Sequence, residues 1–233
     1  MKDKRIVIVG GGTGIGLCLA EQLVNLGARV VIASRDIQKI ETVCAKLGSL
    51  ASAYQLDASD EQAVIQFFSD LGQFDHLVVT IRPDHLTAPF TESAPIDSRG
   101  AFDAKFWGQY NLARYCIDTI SSTGSIIFTS GIAAARGYQG FSCTAAINGA
   151  IEALTKSLAV ELAPIRVNAV TPGFIERYSD DHERWQMVQN LTARIPAQRL
   201  GTQAEAANAY IYLLQNRYTS GTILTVDGGE LSA

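Results

Sequence analysis

The chain has 233 residues, of which 47% are hydrophobic and 18% charged, and its formal net charge is −4. This composition is typical of one globular α/β domain with a large core. The acidic balance offers no basic surface for nucleic acid or an anionic membrane, and no apolar run approaches the roughly 20 residues of a membrane span.

The N-terminal residues and the cysteines predict the compartment. Because the chain enters its first predicted strand directly, without a signal peptide, we expect a cytoplasmic protein. The four cysteines are widely spaced and form no C-x-x-C pair, which predicts reduced thiols. The three histidines are equally scattered, so no metal site is expected.

The first 35 residues predict a strand, a helix and a second strand. A short apolar run, Ile6 to Val9, stops at three glycines, and apolar residues then recur at helical spacing until Gly27. A β-branched run, Val30 to Ile32, follows at once. The two strands should therefore be parallel and joined by a right-handed crossover.

A glycine-rich turn connects the first strand to the first helix. Gly10, Gly14 and Gly16 fit the spacing G-x-x-x-G-x-G, whereas no register gives G-x-G-x-x-G. Free backbone N–H groups and the positive end of the helix dipole meet at such a turn, and glycines let a ligand approach the backbone. The turn therefore favours a diphosphate, and a glycine turn without a ligand is the alternative.

The end of the second strand distinguishes between two dinucleotides. Ser34 and Arg35 stand where an acidic residue would bind the ribose of NAD(H). A guanidinium at this place can hold the 2′-phosphate of NADP(H) through two hydrogen bonds. We therefore expect NADP(H) in preference to NAD(H), and an exposed arginine at the start of a helix is the alternative.

Short apolar runs continue to alternate with helical stretches along the rest of the chain. This alternation predicts a doubly wound parallel sheet. Asp36 and Ser59 are suited to cap the second and third helices. The further predicted strands cover 53–56, 77–80, 125–129, 166–170 and 222–226, and the predicted helices cover about 36–46, 59–71, 101–120 and 142–162.

Several stretches resemble the short-chain dehydrogenase/reductase family over nearly the whole chain. Besides the glycine turn, they are Asp57 after the third strand and the segments RVNAVTPGFI (166–175), IPAQRLGTQAEAA (195–207) and SGTILTVDGG (220–229). The resemblance implies a single-domain, Rossmann-like sheet of about seven strands with helices on both faces. It also implies that Asp57 bonds the adenine amine and that the turn after the sixth strand reaches the nicotinamide.

The resemblance implies further properties of the site and the assembly. A substrate loop is expected between Phe174 and Arg194. Homodimers or homotetramers are expected through the helices near 101–120 and 142–162 and through the last strand. The residues expected to contact the dinucleotide are Gly10, Thr13, Gly14, Ile15, Gly16, Ser34, Arg35, Asp57, Ala58, Asn148, Pro172, Gly173 and Ile175.

The chemistry of the family's oxidoreductases depends on residues that this chain lacks. The family's tyrosine and lysine, four residues apart on one helix face, align with Thr144 and Asn148. The family's serine aligns with Gly131, one residue after Ser130, and its asparagine aligns with Lys105. A threonine hydroxyl is too weak an acid to replace the tyrosine, and an asparagine amide is neutral, although it can still bond a ribose hydroxyl.

Four residues are candidates for the vacant catalytic roles. Lys105 and Asn148 have in effect exchanged the family's asparagine and lysine, so a cation can still reach the pocket; a surface lysine is the alternative. Ser130 lies beside the serine position. Tyr138, on the loop after the fifth strand, is a phenol that can replace the missing acid, and core packing is the alternative.

Three functions are compatible with this pattern. The first is an atypical NADP(H)-dependent oxidoreductase acting on a small carbonyl, alcohol or activated alkene, in which the cofactor moves the hydride. The second is a catalytically inactive pseudoenzyme that binds dinucleotide and regulates or scaffolds other proteins, and the third is a non-redox lyase or isomerase. Arg82, Arg136 and Arg177 follow successive strands at the ligand edge, where they can receive an anionic substrate or face solvent.

Overall fold

The computed structural model describes residues 1–83, 87–176 and 192–233. The strands are β1 (Arg5–Val9), β2 (Arg29–Ser34), β3 (Ala51–Gln55), β4 (Phe74–Val79), β5 (Ile120–Thr129), β6 (Arg166–Pro172) and β7 (Ile223–Val226). They form one sheet in the order β3-β2-β1-β4-β5-β6-β7, and every neighbouring pair is parallel. The predicted doubly wound parallel sheet is confirmed.

Helices cover both faces of this sheet. Those in the described residues are α1 (Gly14–Asn25), α2 (Ile37–Leu47), α3 (Glu61–Leu71), α4 (Pro95–Phe102), α5 (Gly108–Tyr115), α6 (Ser142–Glu161) and α7 (Gln203–Gln215). One apolar core lies between the sheet and α3, α5 and α6, and a second lies between the sheet and α1, α2 and α7. Each βα crossover therefore buries its apolar helix face against the strands that flank it.

The helix predicted over 101–120 is wrong in its bounds. The helical segment begins at Pro95, passes through a π-helical turn at Asp103–Trp107 and ends at Tyr115. The chain then turns, and β5 begins at Ile120, opposite Phe74 of β4. The apolar residues of 116–120 belong to this turn and strand, because a continuous apolar pattern does not distinguish the end of a helix from the start of a buried strand.

The cap predicted for the third helix is also wrong by one residue. Asp60 caps α3, since its carboxylate accepts hydrogen bonds from the backbone N–H groups of Gln62 and Ala63. Ser59 instead donates through both its backbone N–H and its hydroxyl to Asp57 Oδ1. The cap predicted at Asp36 is confirmed, because Asp36 accepts from the backbone N–H of Lys39.

Three expectations concern the substrate loop, a membrane span and a metal site. Arg177 and most of the expected substrate loop lie at 177–191, outside the described residues. In the parts of the chain that the structure describes, no helix has the length and apolar character needed to cross a bilayer. The same parts contain no group of three histidine, cysteine, aspartate or glutamate side chains placed to hold a metal ion.

Candidate active site

The glycine turn lies where the strand order reverses, between β1 and β4. Gly10 has φ +94°, and a Cβ on it would lie 2.9 Å from the carbonyl carbon of Thr80. A Cβ on Gly16 would lie 2.5 Å from Thr80 Oγ1. These two glycines therefore let β1 turn sharply and let the start of α1 pack against the end of β4, at the place where open α/β sheets bind ligands.

The start of α1 has the properties of a diphosphate cradle. Gly14 has φ +56°, and a Cβ on it would meet no atom within 4 Å, so the backbone here faces open space. The Thr13 side chain makes no capping hydrogen bond, and the first turn of α1 carries no acidic residue. The N–H groups of this turn therefore remain available to an anion, and Thr13, Ile15 and Gly16 lie in the same turn.

The carboxyl ends of β2 and β3 provide the positions expected to bind adenosine. Arg35 is exposed directly after Ser34, and the next carboxylate, Asp36, caps α2. Asp57 is exposed after β3, and its side chain is held in place because Ser59 donates to its Oδ1. Ala58 is buried, and its carbonyl oxygen accepts from Asn111 Nδ2 at 3.3 Å.

The segment that follows β6 is held in place by contacts with the segment after β7 and with Gly201. The backbone N–H of Gly173 donates to Val226 O at 2.9 Å, and a Cβ on Gly173 would lie 2.7 Å from the Cα of Asp227. Ile175 forms an isolated parallel bridge with Gly201. The pairing of β6 with β7 ends at Pro172, and these contacts continue it beyond the strand, which places 172–175 at the same sheet edge as the glycine turn.

Lys105, Ser130 and Asn148 meet in one buried hydrogen-bond network. Lys105 is only 7% exposed, and its Nζ donates to Asn148 Oδ1 at 2.6 Å and to the backbone oxygen of Ser130 at 3.0 Å. Asn148 Nδ2 donates to Gly131 O at 3.2 Å. Burial lowers the pKa of Lys105 from 10.5 to about 8, because a buried ammonium loses its hydration.

The π-helical turn at 103–107 is anchored by a glutamine that sequence reasoning missed. Gln109 is fully buried; its Nε2 donates to the backbone oxygens of Lys105 and Thr129, and its Oε1 accepts from the Thr129 N–H. One amide thus joins the turn that carries Lys105 to the end of β5. Its position four residues after Lys105 is a helical spacing that would have placed both side chains on one face.

Glu152 is a second residue that the sequence reasoning missed. Its Oε1 accepts from Ser130 Oγ at 2.8 Å and from Thr171 Oγ1 at 3.1 Å, which joins α6 to the ends of β5 and β6. Ser130 Oγ also lies 3.2 Å from the backbone oxygen of Asn148. Glu152 follows Asn148 by four residues, so the helical spacing indicates the shared face, although not the partner.

Tyr138 lies apart from this network. Its hydroxyl donates to Glu230 Oε1 at 3.2 Å, and its ring packs edge-on against Phe174 with centroids 5.5 Å apart. Burial, together with the nearby Glu230 carboxylate, raises the pKa of Tyr138 to about 12. The phenol is therefore a weaker acid than an ordinary tyrosine, and the ring packing corresponds to the alternative role considered for it.

Comparisons with known proteins identify the family. The family model described as enoyl-(acyl carrier protein) reductase matches residues 10–230. A short-chain dehydrogenase/reductase of Stachybotrys chlorohalonatus is 31% identical over 252 residues, which cover 98% of this chain and 97% of that protein. The chain belongs to the short-chain dehydrogenase/reductase family. The family resemblance and the oxidoreductase class predicted from the sequence are thereby confirmed.

Other similar proteins are matched over their full or nearly full length. A 3-oxoacyl-(acyl-carrier-protein) reductase of Mus musculus is 31% identical over 236 residues, covering 97% of this chain and 98% of that protein. The crystal structure of a small-chain dehydrogenase in complex with NADPH matches with a TM-score of 0.84 and 33% identity, covering all of both chains. The structure of ElxO with NADP bound, also covered in full, gives a TM-score of 0.90 and 29% identity.

Proposed function

We propose that this short-chain dehydrogenase/reductase is an NADP(H)-dependent reductase in which the amine of Lys105 is the proton donor. The observation that carries the proposal is the placement of Lys105, which is buried and hydrogen-bonded to Asn148 and Ser130 at the carboxyl edge of the sheet. A buried cation costs several kcal/mol unless partners hold it. A position that retains one at this cost is a candidate functional position.

The preference for NADP(H) is supported by the end of β2 and by similar structures. Arg35 is exposed there, and the nearby carboxylate of Asp36 is used to cap α2. A guanidinium binds a phosphate monoester through two charge-assisted hydrogen bonds. Structures similar to this chain hold NADPH or NADP, which supports the same assignment.

Lys105 has the protonation properties of a general acid at neutral pH. With its pKa lowered to about 8, it is mostly protonated at pH 7 and still gives up its proton more readily than an ordinary lysine. Two of its three N–H bonds are directed at Asn148 and Ser130, and the third has no acceptor within the described part of the chain. That third N–H can donate to a substrate oxygen.

The reaction divides between cofactor and protein. When bound, NADPH supplies a hydride to the substrate carbon. Lys105 transfers a proton to the substrate oxygen of a carbonyl or enone, becomes a neutral amine and regains its proton from solvent. Asn148 Oδ1 orients the amine, and the fixed positions of Ser130 and Gly131 keep Asn148 in place.

The test is NADPH oxidation with a panel of small ketones and enones, followed by cofactor absorbance. We expect turnover of at least one compound, and slower turnover with NADH than with NADPH. Calorimetry on the same preparation measures NADPH binding independently of turnover. Tight binding of NADPH without turnover of any compound would contradict the proposal and favour the dinucleotide-binding pseudoenzyme.

We also propose that the protein is a homo-oligomer. Large apolar side chains remain exposed on the helical segment around α5 and near the end of α6: Trp107 is 47% exposed, Tyr110 38% and Val160 80%. Exposed apolar side chains on neighbouring helices are suited to association with a second copy. Sedimentation velocity distinguishes a monomer of 25.1 kDa from a dimer or tetramer.

A further inference from the structure

An apolar pocket of about 420 Å³ lies at the start of α6, the helix that carries Asn148. Pro89 and Phe90 form one wall, and the segment between β5 and α6, including Tyr138 and Phe141, forms the other. The two walls are joined by a hydrogen bond from the N–H of Ala88 to Gly140 O at 3.1 Å. Among the described residues that line the pocket, none carries a charge.

The positively charged residue next to this segment, Arg136, binds elsewhere and does not face the pocket. Arg136 precedes the lining residue Gly137, yet its NH1 donates to the backbone oxygen of Glu230 at 2.6 Å and to that of Ala233 at 3.3 Å. The same NH1 lies 3.7 Å from Glu230 Oε1. The guanidinium is therefore held on the turn that follows β7, and it does not contribute to the pocket lining.

Glu230 is fixed in the position that holds this guanidinium. It is fully buried, and the carboxylate of Asp227 accepts from the N–H groups of Gly229 and Leu231, on either side of it. Its Oε1 accepts from Tyr138, whereas its Oε2 is buried without a hydrogen-bond partner among the residues that the structure describes. A buried carboxylate is stabilised by a nearby positive charge. The Glu230 carboxylate therefore stabilises the position of Arg136 on this turn.

We infer that Glu230 determines substrate specificity: it withdraws the charge of Arg136 from the pocket, so that the site selects substrates with an uncharged, apolar body over carboxylates. The inference rests on the proposed function, since it requires the body of the substrate to occupy this pocket. It also reverses the sequence-based possibility that Arg136 receives an anionic substrate. Glu230 acts through Arg136 and is a positioning residue.

The test compares two enones of which only the second is charged, benzylideneacetone and its para-carboxylate. With NADPH, we expect the wild type to use the neutral enone with a kcat/KM at least about 10-fold higher, because no residue lining the pocket carries a positive charge to offset the desolvation of the carboxylate. Glu230→Gln removes the carboxylate charge that lies 3.7 Å from Arg136 NH1 and leaves only the bonds to backbone oxygens, so the guanidinium is held less strongly and this ratio should move about 10-fold toward the carboxylate. Adding Arg136→Ala to Glu230→Gln should cancel that movement, which a general loosening of the fold would not do.

Binding measurements separate the failure of this inference from the failure of the proposed function. Ligand-observed NMR of the same two enones with the NADPH complex needs no turnover. If neither enone is reduced, tighter binding of the neutral one that reverses in Glu230→Gln still supports the inference. Equal or tighter binding of the carboxylate by the wild type overturns it, and this measurement holds even where Glu230→Gln does not fold.

Discussion

The two halves of the ligand edge differ in whether the backbone or the side chains form the candidate site. On the side of β1, β2 and β3, the glycines and Asp57 follow the family pattern, and backbone geometry makes most of the cradle. On the side of β5 and β6, side chains form the candidate site, in a buried hydrogen-bond network around Lys105. A cradle built by the backbone tolerates few residues at its close contacts, whereas a proton donor can be supplied by any acid in reach with a suitable pKa.

Removing the amine of Lys105 should separate the two halves of the ligand edge most clearly. We predict that Lys105→Ala lowers kcat for NADPH-dependent reduction at least about 100-fold, since the proton donor is lost. The affinity for NADPH should change much less than kcat, because Lys105 hydrogen-bonds to only one residue expected to contact the dinucleotide, Asn148, and not to the glycine turn. Initial rates and calorimetry on the same variant measure the two quantities.

An exposed lysine on α6 provides the matched control for that variant. Lys156 is exposed, so Lys156→Ala removes the same charge without entering the buried network. Its kcat should stay within about twofold of the wild type, as is usual for surface substitutions. If Lys105→Ala retained most of the activity, the proton would have to come from another group, and the proposed role of Lys105 would be wrong.

The cradle side is tested by a second pair of variants. We predict that Arg35→Ala weakens binding of NADPH about 10-fold and leaves binding of NADH nearly unchanged, because the guanidinium is proposed to bind the 2′-phosphate, which NADH lacks. Arg29 is exposed at the opposite end of β2, and Arg29→Ala should affect neither dinucleotide. Titration of each variant with both cofactors measures the two dissociation constants. If the binding of NADPH and of NADH were weakened equally, Arg35 would not recognise the phosphate.

The sequence predicted the strands of the sheet and the glycine turn because both have local signals. Short apolar runs that alternate with helical stretches indicate parallel strands. The spacing of the glycines indicates a turn whose backbone a ligand can approach. The network around Lys105 has no such signal in its partners: Ser130 offers its backbone oxygen, and Gln109 bridges to Thr129 on a distant strand. Contacts of this kind depend on which elements pack together, so they emerged only with the fold.

No sequence pattern predicts the contact between Glu230 and Arg136. The whole of α6, β6, α7 and β7 lies between the two residues in the chain, and the contact uses a backbone oxygen as well as the carboxylate. The π-helical turn that carries Lys105 could not be predicted either. Its departure from α-helical spacing does not change the pattern of apolar residues in the sequence. Sequence reasoning could place Lys105 near the pocket only through the family alignment.

The smallest expected effect concerns the pH dependence of the same amine. With the pKa of Lys105 near 8, kcat/KM for reduction should be constant below that pH and fall about tenfold per pH unit above it, since only the ammonium can donate a proton. Asn148→Asp places a carboxylate at the atom 2.6 Å from Nζ, which favours the charged amine and should move the alkaline limb upward by about one pH unit.

A control with the same change of charge distinguishes a local effect from a general one. Asn216 lies at the end of α7, at the opposite edge of the sheet, and its Oδ1 already accepts from the N–H of Tyr218. Asn216→Asp therefore adds one negative charge far from Lys105, where water and salt screen it. Its alkaline limb should coincide with that of the wild type; if both aspartate variants moved the limb equally, the titrating group would not be the amine beside Asn148.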